Sequence, residues 1–145
     1  MKAHATWRGG YESLLEDDRG HSVTVDLPAD EDGRDLGTSA LELSVLSLAG
    51  CVTTIFALVA RRRRLRFEAM RVELEALRPR GARTIASVEG TFQISTSASE
   101  DEVTTALNLT LRTCPVGVLF EQAGIPVRVR LVRSAPPGPN APTLA

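Results

Sequence analysis

Three stretches of alternating polar and apolar residues predict β-strands. Residues 22–27 alternate among β-branched side chains, as a half-buried strand does. With residues 7–10 they frame a first hairpin-like region, in which glycines and aspartates supply the turns. Residues 67–77 and 84–95 alternate on either side of Pro79-Arg80-Gly81. This second pair predicts an antiparallel hairpin.

The longest apolar stretch predicts a helix from about Ala40 to about Ala60, and Arg61–Arg64 follow it. Ser39 and Glu42 have the spacing of a capping box at its start. The apolar positions leave no wide polar face: Leu41, Leu43, Val45, Leu46, Leu48, Val52, Ile55, Phe56, Leu58 and Val59. The pattern therefore predicts a central helix that is buried on all sides.

The last third of the chain alternates helices with one strand. Capping-box patterns at Ser97 and Ser99 predict a helix over about 100–112, and Pro115 starts a short helix that runs to Gln122. Residues 125–132 form a last strand. The element order indicates an α+β domain over residues 1–133. The proline-rich residues 134–145 indicate a disordered tail.

Composition narrows the class of protein. The chain has 145 residues and a net charge of −1, which suits one domain and argues against a nucleic-acid partner. The N-terminus lacks the apolar core of a signal peptide. Two cysteines are too few for a disulfide scaffold, so we expect a cytoplasmic protein in which a functional cysteine pair is catalytic or redox-sensing.

A membrane span is the alternative for the central helix. Residues 43–60 carry no charge and four arginines follow them, which approaches the pattern of a span with basic flanking residues. Serine, threonine and glycine dilute the apolar character, and the remaining elements need a helix to close their core. We therefore expect a soluble core helix and no membrane association.

Cys51 and Cys114 are the candidate reactive residues. Neither has a nearby set of metal ligands, and the chain lacks a C-x-x-C motif. Pro115 at the first position of a helix makes Cys114 the cap residue, where backbone N–H groups would lower the pKa of the thiol. Cys51 lies in a helix interior without that activation, so its alternative role is that of a small core hydrophobe.

Glu42 precedes Cys51 by nine residues on the same predicted helix. That spacing places the two side chains about 13.5 Å apart along the axis and on opposite faces. Glu42 is therefore either a helix cap or a contributor to the thiol site of a second subunit.

Two segments resemble the OsmC/Ohr family of hydroperoxide reductases. Residues 37–51, from Gly37-Thr38-Ser39 to Gly50-Cys51, are similar to the family's long helix with the first cysteine. Cys114-Pro115-Val116, before a short helix and the last strand, is similar to the second cysteine segment. Residues 7–10 and 20–26 resemble the OsmC-like branch, so the resemblance spans roughly residues 7–132.

The resemblance implies an OsmC-like α+β fold, with antiparallel sheets around a long buried helix in an intertwined homodimer. It also implies reduction of organic hydroperoxides, in which Cys51 attacks the peroxide and Cys114 resolves the sulfenic acid as a disulfide. No cofactor would be bound, and an external dithiol such as a lipoylated protein would serve as reductant. The alternative is a dimer of this fold that binds a small apolar ligand or senses oxidants without turnover.

The chain departs from the family pattern at two places. Ala40 stands where classical members carry proline, and Leu41 stands where the Ohr and OsmC branches carry glutamate, so Glu42 matches the OsmC-like branch. Glu31 stands where those members place a thiolate-holding arginine. Arg34 is the nearest basic residue of that loop, and Arg8 and Arg19 are further candidates.

Overall fold

The computed structural model describes residues 1–135 and has the α+β order of elements that the sequence predicts. The elements of this part of the chain are β1 (His4–Gly9), β2 (Glu12–Glu16), β3 (Ser22–Val25), α1 (Ala40–Arg63), β4 (Ala69–Leu77), β5 (Ser87–Ser95), α2 (Glu100–Thr113), α3 (Pro115–Gln122) and β6 (Val127–Ser134). They fall into two compact units, Met1–Leu46 and the residues from Ser47 onward. Helix α1 begins in the first unit and continues in the second.

The first unit contains a three-stranded antiparallel sheet in the order β1-β2-β3. Gly9 and Gly10 turn the chain between β1 and β2 with φ angles of 121° and 55°, which only glycine adopts without strain. The sequence predicts only a hairpin-like region here and misses β2. Its two leucines are adjacent, so Glu12–Glu16 lacks the alternation that identifies a half-buried strand.

Asp26 organises the loop that connects β3 with α1. The residue is only 3% exposed, and its carboxylate accepts backbone N–H groups of Leu27, Arg34 and Leu36 at 2.9, 3.1 and 3.3 Å. Burial alone would raise the pKa of Asp26, but these three hydrogen bonds outweigh it and hold the pKa below its ordinary value. The loop is therefore an ordered structure built around one carboxylate.

The second unit contains a mixed three-stranded sheet in the order β4-β5-β6. β4 and β5 pair antiparallel, as the hairpin pattern predicts, whereas β5 and β6 pair parallel. The expectation of antiparallel sheets therefore holds for the first sheet and fails for this one. The cause is the connection, because α2 and α3 bridge β5 and β6 and allow the chain to return in the same direction.

Helix α1 begins with the predicted capping box. The backbone N–H of Glu42 donates to the Ser39 hydroxyl at 3.3 Å, and the Glu42 carboxylate accepts the Ser39 backbone N–H at 2.8 Å. Arg61–Arg63 form its last turn. The helix therefore ends among the arginines that the sequence places at its C-terminus, since arginines are good helix formers and suit the negative end of the dipole.

Only one side of helix α1 is buried within the described chain. Its buried residues recur every three or four positions: Leu48, Val52, Phe56, Val59 and Ala60. The opposite stripe is exposed and includes Leu46, Ser47, Gly50, Thr54 and Leu58. The expectation of burial on all sides is therefore not met within a single chain.

By length and composition alone, α1 could also cross a membrane. Core helices of soluble proteins pass the same test, but only 28% of the apolar window of α1 is buried. The rest of this window is not covered by any other part of residues 1–135.

The core of the second unit centres on Phe56. Its ring lies 4.4 Å from the ring of Phe92 on β5 and 5.9 Å from that of Phe67, measured between centroids. Val88 and Ile94 from β5 and Val103 from α2 are buried in the same unit. Aromatic contact and apolar burial thus fix α1 to the sheet.

Helix α2 uses one of the two predicted caps. The Ser99 hydroxyl accepts the backbone N–H of Glu102 at 3.3 Å, and the Glu102 carboxylate accepts that of Ser99 at 2.9 Å. At the other end of this unit, β6 continues to Ser134, which pairs with Ser95. The rest of the predicted tail, residues 136–145, lies outside the described part of the chain.

Phe56→Ala should lower the free energy of unfolding by about 3–5 kcal/mol, because it removes a fully buried ring and leaves a cavity. Leu119→Ala is the control, since that leucine is 64% exposed and its loss should change stability by less than about 0.5 kcal/mol. Denaturant unfolding at one fixed protein concentration measures both. Equal effects of the two substitutions would contradict the assigned core.

Candidate active site

Cys51 and Cys114 meet in the second unit. Cys51 lies on α1, between the buried Leu48 and Val52, and is partly exposed. Cys114 lies at the junction of α2 and α3 and is fully buried, with 0% exposure. The Cys51 side chain is near enough to Cys114 to raise the pKa of its thiol, and both thiols are free. The structure thus brings together two residues that are 63 positions apart in the sequence.

Cys114 is the cap residue that Pro115 predicts. Its backbone N–H ends α2 by donating to the Thr110 carbonyl at 2.8 Å, and its extended backbone leads directly into α3. Its Sγ accepts the backbone N–H of Gly117 at 3.3 Å. One residue therefore ends one helix, starts the next and points its sulfur along the first turn of α3.

The cap does not make Cys114 a reactive thiolate. Burial is the main effect and, with the hydrogen bond to Cys51, raises the pKa of Cys114 to about 11, while the Gly117 N–H acts in the opposite direction. The prediction of a lowered pKa at this position is therefore wrong. Backbone N–H groups stabilise a thiolate at a helix start only when desolvation does not outweigh them.

A cleft of about 600 Å³ lies beside Cys114 in the second unit. Its walls are mostly apolar and come from α1, α2 and the start of β6: Leu48, Val52, Leu111, Ile125, Pro126 and Val127. Glu121 and Arg128 supply charged groups, and Arg128 also forms a surface ion pair with Glu89 at 3.2 Å. The cleft could take an apolar molecule with a polar end.

The two supporting candidates from the sequence lie in the first unit and have partners there. Arg34 forms an ion pair with Glu12. Glu42 accepts hydrogen bonds from Ser39 and Thr38, and the Ser39 hydroxyl contributes most to holding its pKa below the ordinary value. These contacts support the capping role for Glu42.

The chain's family follows from a comparison with protein-family models. Residues 30–130 match the model described as OsmC-like protein, and both cysteines lie within that range. The chain belongs to this family. No curated protein matches the sequence of the OsmC-like chain.

Solved structures with the same fold support the assignment. An OsmC like protein from Mycoplasma pneumoniae superposes with a TM-score of 0.80 at 15% identity, over 91% of this chain and 95% of that one. An organic hydroperoxide resistance protein from Elizabethkingia anophelis gives 0.73 at 18%, over 91% and 94% of the chains. The organic hydroperoxide resistance protein OsmC from Legionella pneumophila gives 0.67 at 18%, over 90% and 94%.

Sequence reasoning misses several parts of the site. The Gly117 N–H could have been found, because it lies at the third position of a helix whose cap is Cys114. The cleft could not, since its walls come from segments far apart in the chain. Within residues 1–135, no group of three or more His, Cys, Asp and Glu side chains could hold a metal ion.

The raised pKa of Cys114 predicts a loss of stability at alkaline pH. The thiol ionises near 9.0 in the unfolded chain but near 11 in the folded one. Below pH 9 the thiol is neutral in both states, so it does not change the free energy of unfolding. Between pH 9 and 11 only the unfolded state releases the proton, so the free energy of unfolding should fall by roughly 2 kcal/mol.

Cys114→Ser is the matched control, because serine does not ionise in this range. Denaturant unfolding of both proteins in reducing buffer, from pH 8 to pH 11, measures the difference. Parallel curves for the two proteins would show that burial does not raise the pKa of Cys114.

Proposed function

We propose that this OsmC-like protein is a thiol-dependent peroxidase that reduces organic hydroperoxides through Cys51 and Cys114. In the first step, the Cys51 thiolate attacks the O–O bond. One oxygen stays on sulfur as a sulfenic acid, and the other leaves as an alkoxide that takes a proton from water.

The second step uses the proximity of the two thiols, which is the observation that carries the proposal and is seen in the effect of Cys51 on the pKa of Cys114. Cys114 attacks the sulfenic sulfur of Cys51 and forms a disulfide. The hydroxyl group leaves with the Cys114 proton as water. Exposure supports this division of labour, because Cys51 is partly exposed whereas Cys114 is closed to solvent.

The cleft supports an organic substrate. Its apolar walls would bind an alkyl or aryl group and offer little to hydrogen peroxide. Relatives of the same fold are organic hydroperoxide resistance proteins, from Elizabethkingia anophelis and Legionella pneumophila. The substrate class of the present chain rests on this family link and on the cleft.

The disulfide must be reset by an external reductant. We propose a dithiol of the lipoyl type, free or on a lipoylated protein, which exchanges with the Cys51–Cys114 disulfide and leaves as its own cyclic disulfide. The chemistry uses the protein's own sulfur atoms and requires no bound cofactor. Such a cycle suits the reducing cytoplasm.

We further propose a homodimer, because two parts of the described chain lack a cover. Within residues 1–46 only Val25 and Asp26 are buried, too few for an independent core. In the second unit, a groove of about 470 Å³ runs along the exposed side of α1, beside Thr54, Leu58 and Met70. A second copy would cover both.

The dimer would also give the supporting residues a role. Glu42 lies two and a half helical turns from Cys51, on the opposite face of α1, so it would meet a thiol pair only as Glu42 of the partner subunit. Arg34 could act there as the cation that holds the Cys51 thiolate, provided that it leaves Glu12.

A second candidate function is binding of a small apolar ligand or sensing of oxidants without turnover. The apolar cleft and the engagement of Arg34 by Glu12 favour it. Continued turnover in the presence of a dithiol separates the candidates, since a sensor or carrier would react once and stop.

Single substitutions test the division of labour. Cys51→Ser should abolish consumption of cumene hydroperoxide, because the attacking sulfur is lost. Cys114→Ser should react once and stall as a sulfenic acid, which a dimedone probe detects by mass spectrometry. In wild type, one equivalent of hydroperoxide should give an intramolecular disulfide, and dihydrolipoamide should sustain turnover.

Three results would count against the proposal. Two free thiols after oxidation, or linkage only between chains, would exclude the pairing. A probe-reactive sulfenic acid at Cys114 in the Cys51→Ser protein, together with an inert Cys114→Ser protein, would reverse the roles. A single turnover with dithiol present would favour the second candidate function.

The dimer proposal predicts twice the chain mass by light scattering at micromolar concentration. Leu58→Glu should shift the protein towards monomer, because it places a charge on the exposed apolar side of α1. Leu119→Glu on α3 is the control and should leave the mass unchanged, although Leu119 is also exposed. A monomeric wild type would contradict the proposal.

A further inference from the structure

Gly117 is a glycine that the backbone of α3 does not require. Its φ angle is not in the left-handed region, and a Cβ built on it would meet the Cys114 Cβ at 3.4 Å, an ordinary contact. Gly124 differs, because its φ of 74° would strain any other residue. Gly90 differs as well, because a Cβ there would lie 2.0 Å from the Glu73 carbonyl oxygen. The fold therefore accounts for Gly124 and Gly90 but not for Gly117.

A glycine at position 117 also makes α3 less stable than alanine would. Glycine loses more conformational freedom than alanine when a helix forms. Alanine would keep the backbone N–H that donates to Cys114 Sγ at 3.3 Å, so this hydrogen bond does not require glycine either. The absence of a side chain thus helps neither the helix nor its cap.

The missing side chain would lie at the wall of the cleft. A Cβ at position 117 would have three near neighbours: the Cys114 Cβ at 3.4 Å, and the Cys114 Sγ and the Leu111 carbonyl oxygen, each at 3.6 Å. All three residues line the cleft of about 600 Å³. Because side chains of a helix point toward its N-terminus, a longer side chain at 117 would extend past the Cys114 sulfur. Gly117 therefore keeps this corner of the cleft open.

We propose that Gly117 is a specificity-determining residue that leaves room beside Cys114 for a bulky apolar group of the substrate. This inference deepens the proposed function and rests on it, since the occupant is the organic part of a hydroperoxide. The cleft wall is otherwise mostly apolar and includes Leu48, Val52 and Ile125. A bulky group such as cumyl would contact these side chains while it fills the corner at Gly117.

The first test is whether the fold tolerates a side chain at position 117. Gly117→Ala adds one methyl group in ordinary contact, so its midpoint of denaturant unfolding should equal or exceed that of wild type. A lower midpoint would overturn the inference, because the glycine would then be required by the fold. The alanine variant also keeps the other tests possible if Gly117→Leu does not fold.

The second test measures the cleft without peroxide chemistry. Cumyl alcohol, which cumene hydroperoxide would leave as product, is titrated into the reduced protein, and NMR shifts give its dissociation constant. Gly117→Leu should weaken binding by at least about tenfold and Gly117→Ala by a smaller factor, since one methylene group changes affinity in an apolar pocket. Gln122→Leu is the matched control and should bind like wild type, because Gln122 is exposed on the same helix and does not line the cleft.

The third test compares two substrates, with dihydrolipoamide as reductant. Gly117→Leu should slow turnover of cumene hydroperoxide by at least about tenfold but that of the smaller tert-butyl hydroperoxide by less than about threefold. An equal loss with both substrates would count against the inference, because the leucine would then disturb the thiols rather than exclude the larger group.

The binding measurement separates failure of this inference from failure of the proposed function. A wild type that binds cumyl alcohol but consumes no hydroperoxide would reject the peroxidase, while alcohol binding to the Gly117 variants still decides whether Gly117 sets the size of the group. A wild type that does not bind the alcohol, or a Gly117→Leu variant that binds it equally well, would overturn the inference. Slower reduction by dihydrolipoamide with unchanged alcohol binding would also overturn it, because the space would then admit the reductant.

Discussion

The structure of the second unit depends on the buried stripe of α1, whose Phe56 ring packs against Phe92 of the sheet. Leu48, Val52 and Phe56 are spaced four residues apart and are each at most 1% exposed. This spacing fixes how the helix is rotated. Cys51 lies at the edge of the stripe, between Leu48 and Val52, and is therefore half-buried rather than enclosed. Packing thus sets both the exposure of Cys51 and its proximity to Cys114.

Two opposing effects act on the pKa of the Cys114 thiol, namely the helix start and burial. A helix start favours a thiolate, and Gly117 provides the hydrogen bond expected there. Complete burial opposes it and is the larger effect, since the pKa of Cys114 rises rather than falls. Local sequence identifies the cap because Pro115 defines it, but local sequence does not contain the burial. The direction of the pKa shift is therefore a tertiary property.

The difference between local signals and tertiary contacts also explains which parts of the fold the sequence predicts and which it misses. The capping boxes at Ser39 and Ser99 are local signals, and both helices begin where these signals place them. Strand β2 lacks a local signal because its leucines are adjacent. The parallel pairing of β6 with β5 and the cleft depend on residues far apart in the chain. The two cysteine segments could be paired only through their resemblance to a family.

The central helix α1 also depends on contacts that its own sequence does not contain. Its sequence has no polar face, yet residues 1–135 cover only one side of it. An all-round apolar helix with one uncovered side is stable in water only if something else buries that side. Lipid would suffice for the helix but not for the first unit, where only Val25 and Asp26 are buried and the sheet has turns and charges typical of an aqueous surface. The second copy of the chain that we propose would meet both requirements. In that proposed dimer, Glu42 and Arg34 of the partner subunit are the candidates for groups that approach the thiol pair. The uncovered side of the helix and the place of Glu42 on the face opposite Cys51 would then have the same explanation.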